Sequence, residues 1–142
     1  MYTGLIAEVS TSIHAQRAKV WHALIDPETI RQFMFGTEVV TDWKVGGPIL
    51  WKGVWEGKPY EDKGVLLKVT PEHTLQYSHF SPLGNLPDMP ENYHTVTYEL
   101  SDEGDNTLVS LTQDNNSSET AMEHSQKMWE KVLDGLKEVL EK

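Results

Sequence analysis

The chain has 142 residues, no cysteine and a formal charge of −10, with 38% hydrophobic and 24% charged residues. The charge argues against a nucleic-acid partner and against an anionic membrane surface, and without cysteine there is neither a disulfide framework nor a thiolate zinc site. The length suits a single domain over residues 1–142 that buries about two thirds of its unfolded surface. With no leader and no run of 18 apolar residues, the cytoplasm is the expected compartment.

Residues 5–13 alternate, with Leu5, Ala7, Val9, Thr11 and Ile13 on one side and Ile6, Glu8, Ser10 and Ser12 on the other, so a strand with one buried face is predicted. Near Arg17 the period becomes helical. Val20, Ala23 and Leu24 share a face, with Trp21 and Ile25 beside them. Asp26 then caps, and Pro27 opens a second short helix whose apolar side is Ile30, Phe33 and Met34. After Gly36, strands are expected at 37–42, 49–55, 60–69, 75–80, 93–100 and 107–113. The breaks between them are rich in Gly, Pro and Asp, as at Glu56-Gly57-Lys58 and Asp102-Glu103-Gly104-Asp105. Such short connections imply antiparallel pairing.

Residues 120–142 read as a long amphipathic helix. Thr120 and Glu123 have capping-box spacing. Met122, Trp129 and Leu136 recur every seven residues, and Val132, Leu133, Val139 and Leu140 fill the same stripe. Glu123, Lys127, Glu130, Lys131 and Glu138 form the solvent side. At 1.5 Å per residue the helix is about 35 Å long. Its apolar face needs a curved sheet to lie against, and the gap between the two is the expected functional site. Gly135 in mid-helix costs about 1 kcal/mol relative to Ala, which fits a close backbone approach or extra space there.

The connection at 81–92 is long. Pro82, Gly84, Pro87 and Pro90 exclude regular structure, while Leu83, Leu86 and Met89 are unusual in an idle loop. They are expected either to gate a cavity mouth or to cover a sheet edge.

Charged residues serve as outward markers along the strands. Lys52 turns Trp51 and Trp55 inward, and Lys68 turns Val65, Leu67 and Val69 inward. Leu75 brings Tyr77 and His79 with it, Glu99 leaves His94, Val96, Tyr98 and Leu100 inside, and Val109 and Leu111 bring Gln113. A concave apolar wall with few polar points is the usual make-up of a small-molecule site, and solid aromatic packing is the ordinary alternative. The six histidines show no ligand spacing such as H-E-x-x-H, and G-x-S-x-G and phosphate-loop patterns are absent. No metal and no cofactor is expected.

These residues carry a resemblance. Ala18-Lys19-Val20-Trp21-His22-Ala23-Leu24-Ile25-Asp26-Pro27 resembles the opening signature of the homologues of the heat-shock protein 90 ATPase activator. Trp43-Lys44-Val45-Gly46-Gly47-Pro48 and Gly64-Val65-Leu66-Leu67-Lys68-Val69-Thr70-Pro71 are similar to its next motifs, and residues 90–100 to a late-strand motif of a bacterial subgroup. That family belongs to the START-like (SRPBCC) superfamily, with birch-pollen allergen and polyketide-cyclase relatives. The resemblance implies an α+β helix-grip fold: a curved antiparallel sheet of six to seven strands around the long C-terminal helix, with two short helices at one end. It also implies a deep cavity for lipids, polyketides or aromatic molecules.

The leading expectation is therefore binding of a small hydrophobic ligand without catalysis. Trp51, Trp55, Leu67, Tyr77, Met122, Trp129 and Leu133 would form the wall. His79, His94 and Gln113 would orient a polar end, and Leu83, Leu86 and Met89 would gate the mouth. One alternative is a cyclase or dehydratase in which His79 or His94 moves a proton. Another is a chaperone-associated interaction module working through Glu123, Glu130 and Glu138. A monomer or weak homodimer is expected, with no nucleic-acid partner and no membrane insertion.

Overall fold

The computed structural model describes residues 4–82 and 86–142, apart from the Trp55 side chain. Strand β1 (Ala7–Ile13) is followed by helices α1 (Arg17–Ile25) and α2 (Pro27–Phe33). Then come β2 (Glu38–Val40), β3 (Pro48–Trp55), β4 (Lys58–Thr70), β5 (Thr74–His79), β6 (His94–Glu103) and β7 (Asn106–Gln113), and finally α3 (Glu119–Leu140). The strands form a seven-stranded sheet in the order β1-β7-β6-β5-β4-β3-β2, with every neighbouring pair antiparallel. This is the expected helix-grip architecture.

The alternation seen in the sequence decides the faces. In β7, Thr107, Val109, Leu111 and Gln113 are buried, and in β6 Val96, Tyr98 and Leu100 are. Helix α3 lies against β1 and is braced by α1 and α2. Trp129, Val132, Leu133, Leu136 and Leu140 are its buried residues. Fully burying a leucine is worth about 2 kcal/mol, so this stripe holds the helix down. Gly135 faces α2, where an added Cβ would stand at an ordinary contact distance of 3.4 Å from the Phe33 backbone.

Three local details differ from expectation. Helix α3 begins one residue earlier than Thr120, and its cap is Ser118, whose Oγ accepts the Ala121 N–H at 3.1 Å. Thr120 therefore lies inside the first turn. The strand expected at 37–42 shortens to Glu38–Val40, and Trp43 takes a left-handed φ of 61°. The third concerns β4. Leu66 pairs with Tyr77 and the next pair is Lys68 with Gln76, so Leu67 is an extra residue in a β-bulge. Lys68 correctly points Val69 inward, but before the bulge the phase reverses. Leu66 is fully buried, whereas Val65 and Leu67 are 39% and 42% exposed.

The same region contains a tight approach between β4 and β5. A Cβ on Gly64 would stand 1.7 Å from the Ser78 carbonyl oxygen, so only hydrogen fits. The Val65 N–H donates to Ser78 Oγ at 2.9 Å, and Lys63 and Phe80 exchange backbone hydrogen bonds of 3.0 and 2.8 Å. No helix among the described residues is long and apolar enough to cross a membrane.

Candidate functional site

The packing of α3 and α2 leaves the interior unevenly filled. Beneath α2, between Leu24, Ile30, Phe33, Ile49 and Leu75, the residual void is about 20 Å³, which is room for about one water. Toward the N-terminal half of α3 the space opens into a cavity of about 790 Å³. Its walls come from the end of α2 and the loop after it, from β3, β4 and β5, from the end of β7, and from α3.

The aromatic wall residues Trp51, Tyr77 and Trp129 are linked through Tyr98, which borders the smaller void and not this cavity. The rings of Trp51 and Tyr77 lie 4.9 Å apart, those of Tyr77 and Tyr98 6.4 Å, and Tyr98 meets Trp129 edge-on at 6.3 Å. Burial pushes the hydroxyls of Tyr77 and Tyr98 well above the ordinary phenol range, so both stay neutral. Tyr60 lies over Gly53, its directly opposed neighbour, where a Cβ would collide with the ring, and its hydroxyl bonds Thr37 Oγ1 at 2.9 Å.

Two polar clusters border this wall. In the first, His79 Nε2 lies 2.9 Å from Asp62 Oδ2, and Trp51 meets the imidazole edge-on at 5.0 Å. A carboxylate accepts, so Nε2 carries the proton, and in the neutral imidazole Nδ1 keeps its lone pair. No hydrogen bond to that Nδ1 is formed among the described residues. The other carboxylate oxygen, Asp62 Oδ1, is buried with no partner. An unpaired oxygen of this kind costs stability, and it belongs to the one acidic wall residue of the cavity.

The second cluster ties the helix to the sheet. Trp129 Nε1–H donates to Gln113 Oε1 at 2.6 Å, and Gln113 Nε2 donates to Asn116 Oδ1 and Ser125 Oγ, both at 3.3 Å. Asn116 Nδ2 in turn donates to the carbonyls of Leu5 and Gln113, both at 3.0 Å. Gln113 borders the cavity, but its amide is spent on this network and is not held ready for a guest.

The residues expected in the site divide accordingly. Trp51, Tyr77, His79, Gln113 and Trp129 are brought together in the cavity wall. His94 pairs with His79 across β5 and β6 with rings 6.3 Å apart, but it is not part of the wall, and its Nδ1–H donates to the Asp114 carbonyl at 2.8 Å. Leu67 points away because of the bulge. Leu133 is core at 1% exposure, and its neighbour Val132 lines the space instead. Met122 is half-buried and does not border it. The Trp55 side chain and Leu83 lie outside the described residues.

The expected gate residues sit elsewhere. Leu86 and Met89 are 54% and 46% exposed and do not border the cavity. Their loop is pinned on the outer side: Asp88 pairs with Lys63 and accepts the Tyr93 hydroxyl at 2.5 Å, and Tyr93 stacks on Phe80 at 5.0 Å. At the mouth stand Phe35, 68% exposed with a left-handed φ of 57°, and Met128.

The wall also holds residues that the sequence reading missed, chiefly Asp62, Tyr60, and the helix residues His124, Lys127 and Lys131. Asp62 is found if Glu61 and Lys63, instead of Lys68, are used as outward markers. Among the described residues no group of three His, Asp or Glu side chains is placed to hold a metal ion.

Comparison with known proteins places this geometry. The solution structure of ChR145 from Cytophaga hutchinsonii is 53% identical, with a TM-score of 0.86 over 99% of this chain and 97% of that one. The Aha1 dimer from Colwellia psychrerythraea is 21% identical, with a TM-score of 0.73 over 95% of each chain. DynU16, from the dynemicin biosynthetic locus, is 17% identical, with a TM-score of 0.80 over 98% of this chain and 48% of that one. The last two likenesses concern the fold. No curated protein matches the chain in sequence. The model of the family described as Activator of Hsp90 ATPase homolog 1-like protein matches residues 14–141, and the chain belongs to that family.

Proposed function

We propose that this protein binds a small, largely apolar or aromatic molecule between α3 and the sheet. The observation that carries this reading is the cavity of about 790 Å³ floored by Trp51, Tyr77 and Trp129. Drug-sized ligands typically occupy about 300–1,000 Å³ in walls of this composition. Burying a flat ligand at about 25 cal/mol per Å² leaves micromolar affinity as a reasonable outcome once ordering costs are met. Titration with fatty acids, flavonoids and polyketides, followed by chemical-shift perturbation, tests it. Shifts centred on Tyr77, Trp51 and Trp129 are expected. No response at these residues from any compound sinks the reading.

A second reading has one specific observation in its favour. His79, oriented by Asp62 and with Nδ1 unbonded, has the arrangement of a general base facing an apolar space. Turnover of a polyketide-like substrate that vanishes in His79→Ala while ligand binding persists would favour catalysis over carriage.

A further inference from the structure

Helix α3 turns His124, Lys127, Met128 and Lys131 toward the cavity, at the i, i+3, i+4, i+7 spacing of one helical face. The chain has only 12 Lys and Arg against 22 Asp and Glu, so a basic lip on this opening runs against the average composition. Lys127 and Lys131 lie one turn apart, where like charges repel. Neither forms an ion pair among the described residues, although Glu123, Glu130 and Asp134 are on the same helix. The acidic wall residue, Asp62, is already engaged by His79. The cavity thus has an aromatic wall, the Asp62–His79 pair within it, and a cationic lip whose two lysines have no ion-pair partner among the described residues.

We infer that the ligand is an amphipathic anion, an apolar aliphatic or aromatic body bearing a carboxylate that sits between Lys127 and Lys131. This deepens the proposed binding function and rests on it. The body covers Trp51, Tyr77 and Trp129, while the anionic end stays at the mouth, where its desolvation is least costly. The carboxylate relieves the repulsion between the two lysines.

Fluorescence titrations with two matched pairs test this. One pair is cis-parinaric acid and its methyl ester; the other is anthracene-2-carboxylic acid and its methyl ester. Two lysine contacts at a partly exposed lip should favour the acid over the ester by about tenfold. The preference should shrink at high salt as screening increases. In Lys127→Ala/Lys131→Ala the acid should fall to the level of the ester while ester binding holds, and Lys127→Arg/Lys131→Arg should retain the preference. Whichever pair binds identifies the body as aliphatic or aromatic. Equal binding of acid and ester, or a preference that survives the double alanine variant, overturns this inference and leaves the cavity reading intact. Failure of all four compounds to bind overturns both.

Discussion

The indole Nε1–H of Trp129 donates to the side-chain oxygen of Gln113 at 2.6 Å, with both side chains buried. With the bond from Gln113 Nε2 to Ser125 Oγ, it joins the long helix to the end of β7 at the border of the cavity. Removing one partner leaves the other unsatisfied in a low-dielectric place. Gln113→Ala should therefore cost about 1–3 kcal/mol, more than the area lost would suggest. Trp129→Phe combined with Gln113→Ala in a double-mutant cycle of urea denaturation should show clear coupling. Additive losses would mean the bond contributes little.

The Asp62–His79 pair makes a spectroscopic prediction. With Asp62 Oδ2 accepting from Nε2, neutral His79 should be held in the Nε2–H tautomer. Long-range ¹⁵N–¹H spectra of the imidazole should show that tautomer dominating in the wild type and a mixture in Asp62→Ala. An unchanged tautomer would remove the orienting role of the carboxylate.

Two glycines should respond in opposite directions. Gly64→Ala places a Cβ 1.7 Å from the Ser78 carbonyl oxygen, and the strands must part. A loss of about 3 kcal/mol is expected, the upper part of the usual overpacking range. Gly135→Ala meets Phe33 at an ordinary 3.4 Å and gains helix propensity, so stability should rise by up to about 1 kcal/mol. Thermal melts of the two variants compare them directly.

Acid should release the loop segment at 86–92. The hydrogen bond from Lys63, then that from Tyr93, holds the Asp88 carboxyl below its ordinary 3.8. A depressed carboxylate contributes fully above the unfolded value and loses its contribution as pH falls through the lower folded value. The anchor should therefore persist at pH 5 and weaken only below about 3.8. Amide signals around Tyr93 should move in that window, and Asp88→Asn should abolish the movement.

Much of this molecule was legible from local pattern. Period-two alternation located β1, β6 and β7, and the heptad recurrence of Met122, Trp129 and Leu136 located α3, because each pattern reports one buried face. The wall residues Trp51, Tyr77, His79 and Gln113 followed from that alternation, and Trp129 from the helical recurrence. Those sequence distances, however, say nothing about where the phase slips. One bulged residue, Leu67, turned itself outward and brought Asp62 inside.

By itself, then, the order of residues determined the elements, their antiparallel pairing and the family. The tertiary structure decided what remains empty. Solid packing and a cavity draw on the same aromatic residues, and only the way α3 packs on β1 and α2 in three dimensions separates about 20 Å³ from about 790 Å³. It likewise decided that Lys127 and Lys131 face that opening, since a helical stripe read as solvent-facing carries no record of whether its solvent is the bulk or a cleft.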